Sequence, residues 1–218
     1  MWTWSLNWGE VTPHLVVGTC PMSPHDVRRI RDEAAVSAIL SLQHDACLAY
    51  WRIDFAELLT ATSTLGLVMA RQPIRDFDLE DMRRQLPLAI ASLARLQASG
   101  HRTYVHCTAG LGRAPLTILG YLTLIEGLDP EAAIRLILAA RPGAVPAWEA
   151  YHGCIHELTE RHRTEIKQRA YALYEQGVHG HADADWRQAQ AEVLREGLLR
   201  LMHSEAPEAG GHCAGDNR

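Results

Sequence analysis

The sequence predicts an α/β domain with a central sheet flanked by helices and a C-terminal helical appendage. Three observations predict it. Short apolar runs rich in Val, Ile and Leu alternate with amphipathic helical runs as far as about Pro142, the pattern of strands covered by helices. Capping and turn residues fall between the runs. Beyond Pro142 the strand signal stops and long, charged helical segments take over.

Each element follows from its local chemistry. "HLVVGT" at 14–19 reads as a strand, and "SPHDVRRIRDEA" at 23–34 as a helix with Ser23 as its cap and Pro24 in its first turn. "VSAILSLQ" at 36–43 is the next strand. "DFAELLTATSTLG" is a helix that stops at Gly66, "LVMARQPI" at 67–74 a strand, and "LEDMRRQLPLAIASLARLQASG" a helix ended by Gly100. "RTYVHC" is a short strand delivering Cys107 to the carboxyl edge of the sheet. "PLTILGYLTLIEG" is apolar on nearly every side and predicts a buried helix. "DPEAAIRLILAARP" follows, capped by Asp129, opened by Pro130 and stopped at Arg141-Pro142. The segment 147–177 is long and charged and is expected to carry the chain out of the domain. The expected division is a catalytic domain at 1–160, a helical extension at 161–203 and a disordered tail at 204–218.

Composition excludes several classes. With 21 Lys and Arg against 26 Asp and Glu, the net charge of −5 opposes a dedicated nucleic-acid binder, which needs clustered cations to displace counterions. No apolar run approaches the ~18 residues of a membrane span, and the start "MWTWSLNWGE" lacks a basic region followed by an apolar core. A soluble, cytoplasmic protein without membrane partners is expected. Cys20, Cys47, Cys107, Cys154 and Cys213 are odd in number and scattered, which fits a reducing compartment better than a disulfide framework.

The chemistry concentrates in "HCTAGLGRAP", His106 to Pro115. A loop running into a helix N-terminus offers converging backbone donors to a phosphate without any basic cluster. Thr108, Ala109, Gly110, Leu111 and Gly112 supply those amides, and the two glycines permit tight turns and close approach. The same donors are expected to hold Cys107 as a nucleophilic thiolate, and Arg113 to grip two phosphate oxygens as a planar fork. A nucleotide P-loop is the weaker reading, because the Gly-Lys-Ser/Thr ending is missing. Ester cleavage also needs a group that protonates the leaving oxygen and later activates water. "PIRDFDLEDM" offers Asp76, Asp78, Glu80 and Asp81; the last three suit a helix N-terminal turn, with Asp78 as its cap.

The pattern H-C-x-x-G-x-x-R between a strand and a buried helix resembles the cysteine-dependent protein tyrosine and dual-specificity phosphatases. "VTPHLVVGT", "LQHDACLAYW", "IRDFD" and the Ala114-Pro115 pair after Arg113 together resemble the plant starch phosphatases and the laforin-related glucan phosphatases. Most dual-specificity enzymes instead carry Ser or Thr after the Arg. The resemblance covers about residues 7 to 155 and implies a phosphatase acting on a phosphorylated glucan. It assigns Cys107 as nucleophile, Arg113 as phosphate clamp, Asp76 as general acid, and Phe77, Trp51 and Tyr50 as the surfaces on which sugar rings pack.

The uncharged stretch between Cys107 and Arg113 suits a single phosphate, so a phosphoprotein is the alternative substrate and a non-catalytic phospho-ligand binder the alternative class. No cofactor is expected. His179, His181, Asp183 and Asp185 read as solvated loop and cap residues rather than a metal site, with Asp183 or Asp185 capping the last helix. Residues 166–202 form two short amphipathic helices around a Gly/His loop. They resemble a small bacterial helix-pair domain of unknown role in which Asp-Trp-x-x-Ala recurs, which implies a bacterial source. The oligomeric state is left open.

Overall fold

A computed structural model describes residues 3–177 and 181–204 of the chain. Five strands form one sheet in the order β1-β2-β5-β3-β4. β2 (Leu15–Gly18), β5 (Thr103–His106), β3 (Ala38–Gln43) and β4 (Val68–Ile74) run parallel. β1 (Trp8–Thr12) pairs antiparallel with β2 at the edge. The central strands β2, β3 and β5 are buried along their whole length, which is why apolar residues dominate them without alternating with exposed polar ones.

Helices cover both faces. On one face α1 (Pro24–Glu33), α2 (Asp45–Trp51) and α3 (Phe55–Thr64) close over Val16, Ile39 and Tyr104 through Ile30, Leu48 and Leu58. Ser23 and Asp54 cap α1 and α3 with their side chains. On the other face α4 (Leu79–Ala98), α5 (Arg113–Leu124), α6 (Pro130–Ala140) and α7 (Trp148–Arg161) pack around Leu40, Leu86, Ile90, Val105 and Ile118. The expected caps Ser23, Asp78 and Asp129 all hold, and Gly66 and Gly100 adopt left-handed φ of +69° and +79°.

Three elements depart from the sequence reading. β1 lies in "WGEVT", whose Gly9 and Glu10 hide the strand pattern; an added Cβ at Gly9 would sit 1.7 Å from the Ala140 carbonyl oxygen of α6. α2 forms over residues to which the sequence reading assigns no element, ending at Arg52 with φ of +54°. The long segment after 147 turns at His162 into α8 (Arg163–Glu175), and the chain then returns as α9 (Ala182–His203), which packs on α4.

α9 spans 22 residues, so it is not a short helix. Its cap is His181, and Asp183 and Asp185 lie inside the first turn, where acids face the positive end of the helix dipole. Leu194 and Leu198 join the main core, and the Arg195 side chain donates to the Ile125 carbonyl 2.9 Å away. No helix among the described residues is long and apolar enough to cross a membrane. The tail expected at 204–218 lies, after Ser204, outside the described residues, as do His179 and Cys213.

Candidate active site

The parallel strands end on one edge, and there the sequence-predicted residues meet. β5, in the middle of the sheet, ends at His106 and releases the chain into Cys107–Gly112 before α5 begins at Arg113. The loop's carbonyls are bonded outward. Cys20 N–H donates to the Thr108 oxygen at 3.0 Å, Arg141 Nη2 to the Ala109 oxygen at 2.6 Å, and Val145 N–H to the Leu111 oxygen at 2.7 Å. In a planar trans peptide the N–H points opposite to the C=O. The amides of Ala109, Gly110 and Gly112 are thereby turned to the inner side of the loop. α5 has no side-chain cap, so its first amides stay free for a ligand.

The two glycines differ. Gly110 has φ of +68°, and a Cβ there would lie 2.3 Å from the Gly18 carbonyl oxygen. Only glycine fits. Gly112 has φ of −112° and open space where a side chain would go.

Arg113 is fully buried, yet its guanidinium is ringed by acceptors. Nη1 donates to the Ile74 carbonyl at 2.8 Å and the Cys47 thiol at 3.4 Å; Nη2 donates to Asp76 Oδ2 at 2.7 Å and Thr108 Oγ1 at 3.2 Å. Nε is buried without a partner, an unused donor at the place where an anion would be gripped. Burial works against its charge, but Cys107, Asp76 and Cys47 outweigh it and raise the proton affinity of Arg113. His106 is enclosed, and burial pushes it down to about 4, so the ring is neutral; its Nδ1 donates to the Cys107 carbonyl at 3.0 Å.

Asp76 arrives from the sheet edge. β4 gains one residue on β3 between the pairs Ser41↔Arg71 and Gln43↔Ile74, and Pro73 sits in this bulge on an edge strand, where no ladder donor is needed. The loop that follows is pinned twice. Asp78 accepts from the Asp81 N–H at 2.9 Å as the cap of α4, and the buried Asp81 accepts from the Arg75 N–H at 2.8 Å. Burial opposes the charge of Asp81, yet the Arg75 amide and the Arg84 side chain hold its carboxyl below the usual range. Between these anchors Phe77 adopts φ of +59° with 93% of its surface exposed. A left-handed backbone is rare for a bulky residue, and it costs of the order of 1–3 kcal/mol unless the surroundings impose it.

Two grooves meet at Phe77. One, of about 970 Å³, runs past Arg75, His44, Cys47, Tyr50 and Trp51 to Thr108. The other, of about 530 Å³, is lined by Leu79, Met82, Val145 and Ala147 and reaches Cys107. Tyr50 is 78% exposed, and its ring meets Trp51 edge-on at 5.3 Å; Trp51 itself is half-buried against the α1–α3 core. Sequence reasoning missed Arg141, which it took for a helix stop, and Gln43, whose side chain donates to Thr108 Oγ1 at 3.4 Å. Nothing in the local pattern around either residue signals a loop contact, because both meet the loop across the fold. Cys20 lies buried under the loop, and burial pushes its thiol up to about 12, so it stays protonated. Among the described residues no group of three or more His, Cys, Asp or Glu could hold a metal ion.

Residues 43–160 match the model of the dual specificity phosphatase catalytic domain. The chain is 36% identical over 138 residues to "Phosphoglucan phosphatase DSP4, amyloplastic" of Castanea sativa, covering 62% of this chain and 36% of that one. It is 26% identical to mouse laforin over 153 residues, covering 63% and 45% of the two chains. The chain therefore spans less than half the length of these curated relatives. Among solved structures, that of PTPMT1 overlays with a TM-score of 0.54 at 18% identity, over 72% of this chain and 99% of that one, which speaks for the fold alone. With the family model spanning more than half its residues, the chain belongs to the dual specificity phosphatase catalytic-domain family.

Proposed function

We propose that the chain hydrolyses phosphate monoesters on a glucan, a glycogen- or starch-like polymer, through a cysteinyl-phosphate. The observation that carries this reading is the pair of exposed rings, Phe77 and Tyr50, along the groove that leads to the phosphate loop. Aromatic faces suit the aliphatic hydrogens of sugar rings, and exposing them without a ligand leaves apolar surface in water. The chestnut relative's phosphoglucan name and the similarity to laforin support the same substrate class.

In this mechanism a phosphate enters above Cys107 and takes the inward amides and the free Nε of Arg113. The dianion displaces Asp76 from Arg113 Nη2, freeing the carboxyl to face the leaving oxygen. The Cys107 sulfur attacks phosphorus as the P–O bond to the sugar breaks. Asp76, which takes up a proton from solvent once it has left the guanidinium, gives that proton to the departing sugar oxygen, which leaves as a hydroxyl. It then takes a proton from water, whose oxygen attacks phosphorus and releases the Cys107 thiolate and inorganic phosphate. Throughout, Arg113 and the amides hold the equatorial oxygens, which carry the charge of the transition state. Ala114 leaves no hydroxyl next to Arg113 to assist the departing sulfur, so that task rests on the loop donors and the helix end.

Phosphate release from phosphorylated amylopectin, run beside p-nitrophenyl phosphate and a phosphotyrosine peptide, tests the reading with wild type, Phe77→Ala and Cys107→Ser. A glucan preference that Phe77→Ala erodes more than the small-substrate rate supports it. Preference for the peptide, indifferent to Phe77, replaces the substrate with phosphoprotein and keeps the chemistry. Binding without turnover on any monoester replaces the enzyme with a phospho-ligand binder.

A further inference from the structure

Arg141 is a half-buried cation that no carboxylate answers among the described residues. Its Nη2 donates to the Ala109 carbonyl at 2.6 Å, its Nη1 donates to the side-chain oxygen of Asn7, and its Nε is buried without a partner. By contrast, Arg113 is paired with Asp76 and Arg71 with Asp45. A guanidinium taken out of water without a counterion is costly, and an anion brought within its reach would offset that cost.

Burial lowers the proton affinity of Arg141, and the charges that offset it are those of Tyr104 and Cys107. Burial pushes Tyr104 far up, so its hydroxyl stays neutral and donates to the Thr19 carbonyl at 2.8 Å. That leaves the anion side of the phosphate loop as the negative charge Arg141 faces.

We propose that Arg141 is a positioning residue of the phosphate site: it holds the Ala109 carbonyl outward so that the Gly110 amide faces the anion, and its charge has that anion as its counterion. The assignment rests on the phosphatase reading above and adds a residue outside the Cys-to-Arg signature. Of the loop's three outward carbonyl bonds, those to Cys20 and Val145 come from backbone amides, whereas this one comes from a side chain and can be removed. Asn7 completes the arrangement. It is exposed, it is tied to β2 through the Thr19 N–H donating to its carbonyl at 3.0 Å, and it fixes the outer end of the guanidinium.

The test measures inhibition of p-nitrophenyl phosphate hydrolysis by inorganic phosphate, with thermal unfolding recorded on the same samples. Arg141→Met is expected to raise the inhibition constant, and to lower kcat/KM, by about ten- to a hundredfold, the range for losing one charge-assisted hydrogen bond. Arg141→Lys, which keeps the charge and one donor, should recover most of that loss, a rescue that mere filling of space would not give. Asn7→Asp leaves the loop untouched but hands Arg141 a carboxylate; it should weaken phosphate binding a few-fold at low salt, with the effect fading as salt screens the exposed carboxylate.

Folded Arg141→Met with the wild-type inhibition constant overturns the assignment. Should that variant not fold, wild-type affinity in the isosteric Asn7→Asp overturns it instead. A wild-type protein that neither turns over p-nitrophenyl phosphate nor binds phosphate overturns the phosphatase reading first, which separates the two failures.

Discussion

Replacing Gly110 and Gly112 with alanine, one at a time, separates backbone necessity from open space within a single loop. At Gly110 the new methyl would sit 2.3 Å from the oxygen and 2.6 Å from the carbon of the Gly18 carbonyl. Both are backbone atoms at the end of β2, which is paired with β5 as far as Gly18↔His106. They cannot retreat without parting the strand that carries Cys107. The left-handed backbone adds roughly 1–2 kcal/mol for any L-residue, and overpacking a tight site about 1–3 kcal/mol more. Gly110→Ala is therefore expected to lose roughly 2–5 kcal/mol of stability. At Gly112, with φ of −112° and no atom other than those of its chain neighbours within 4 Å of the added methyl, the loss should stay under about 1 kcal/mol. Urea unfolding at pH 7 measures both, and p-nitrophenyl phosphate turnover reports whether the loop still forms. Gly110→Ala should lose most of its activity even where it remains folded, because the amide it displaces faces the anion. Equal stability of the two variants, or full activity in Gly110→Ala, would refute the close-approach argument.

Other outcomes follow from single contacts. Leu198→Ala, in α9 against the main core, should cost about 2–5 kcal/mol in urea unfolding; a loss below 1 kcal/mol would mean that α9 does not share that core. His106 is held neutral with its pKa lowered to about 4, so as pH falls below its ordinary value near 6.5 the unfolded chain takes up a proton that the folded chain refuses. Stability should therefore be full above pH 6.5 and fall towards pH 4 by an amount of the order of 3 kcal/mol. His106→Asn should flatten that part of the curve. Asp78→Ala removes the cap of α4 and should cost about 1 kcal/mol while lowering kcat, because it also frees the loop carrying Asp76.

The layers of the fold were legible because their causes are local. Pro24 and Pro130 open helices, Ser23, Asp78 and Asp129 cap them, and Gly66 and Gly100 end them, each through its own φ or side chain. β1 was hidden because its glycine answers a contact with Ala140, 131 positions away in the chain by its number, rather than a strand preference. α2 was hidden because only Leu48 is buried in it, too little to print a helical stripe. The return of α9 could not be read from its pattern either, since its packing on α4 is a contact between segments about a hundred residues apart that no hydrophobic period encodes.

The site divides the same way. The nucleophile, the fork and their loop are contiguous, so one short motif carries them, whereas what holds the loop in shape comes from two distant segments, Cys20 after β2 and Arg141 and Val145 on the connection between α6 and α7. Phe77 lies between these cases. Its place beside Asp76 was visible, but its backbone was not: φ of +59° is imposed by Asp78 and Asp81 gripping the chain on either side. Phe77→Gly should for that reason release strain and stabilise the fold by up to about 1 kcal/mol while weakening glucan turnover, since glycine accepts the left-handed backbone and offers no ring. Lower stability together with lower turnover would mean that the ring supports the loop by packing. Higher stability with lower turnover would mean that the strain is kept for the sake of the exposed ring, the outcome expected of a side chain 93% exposed and with little to pack against.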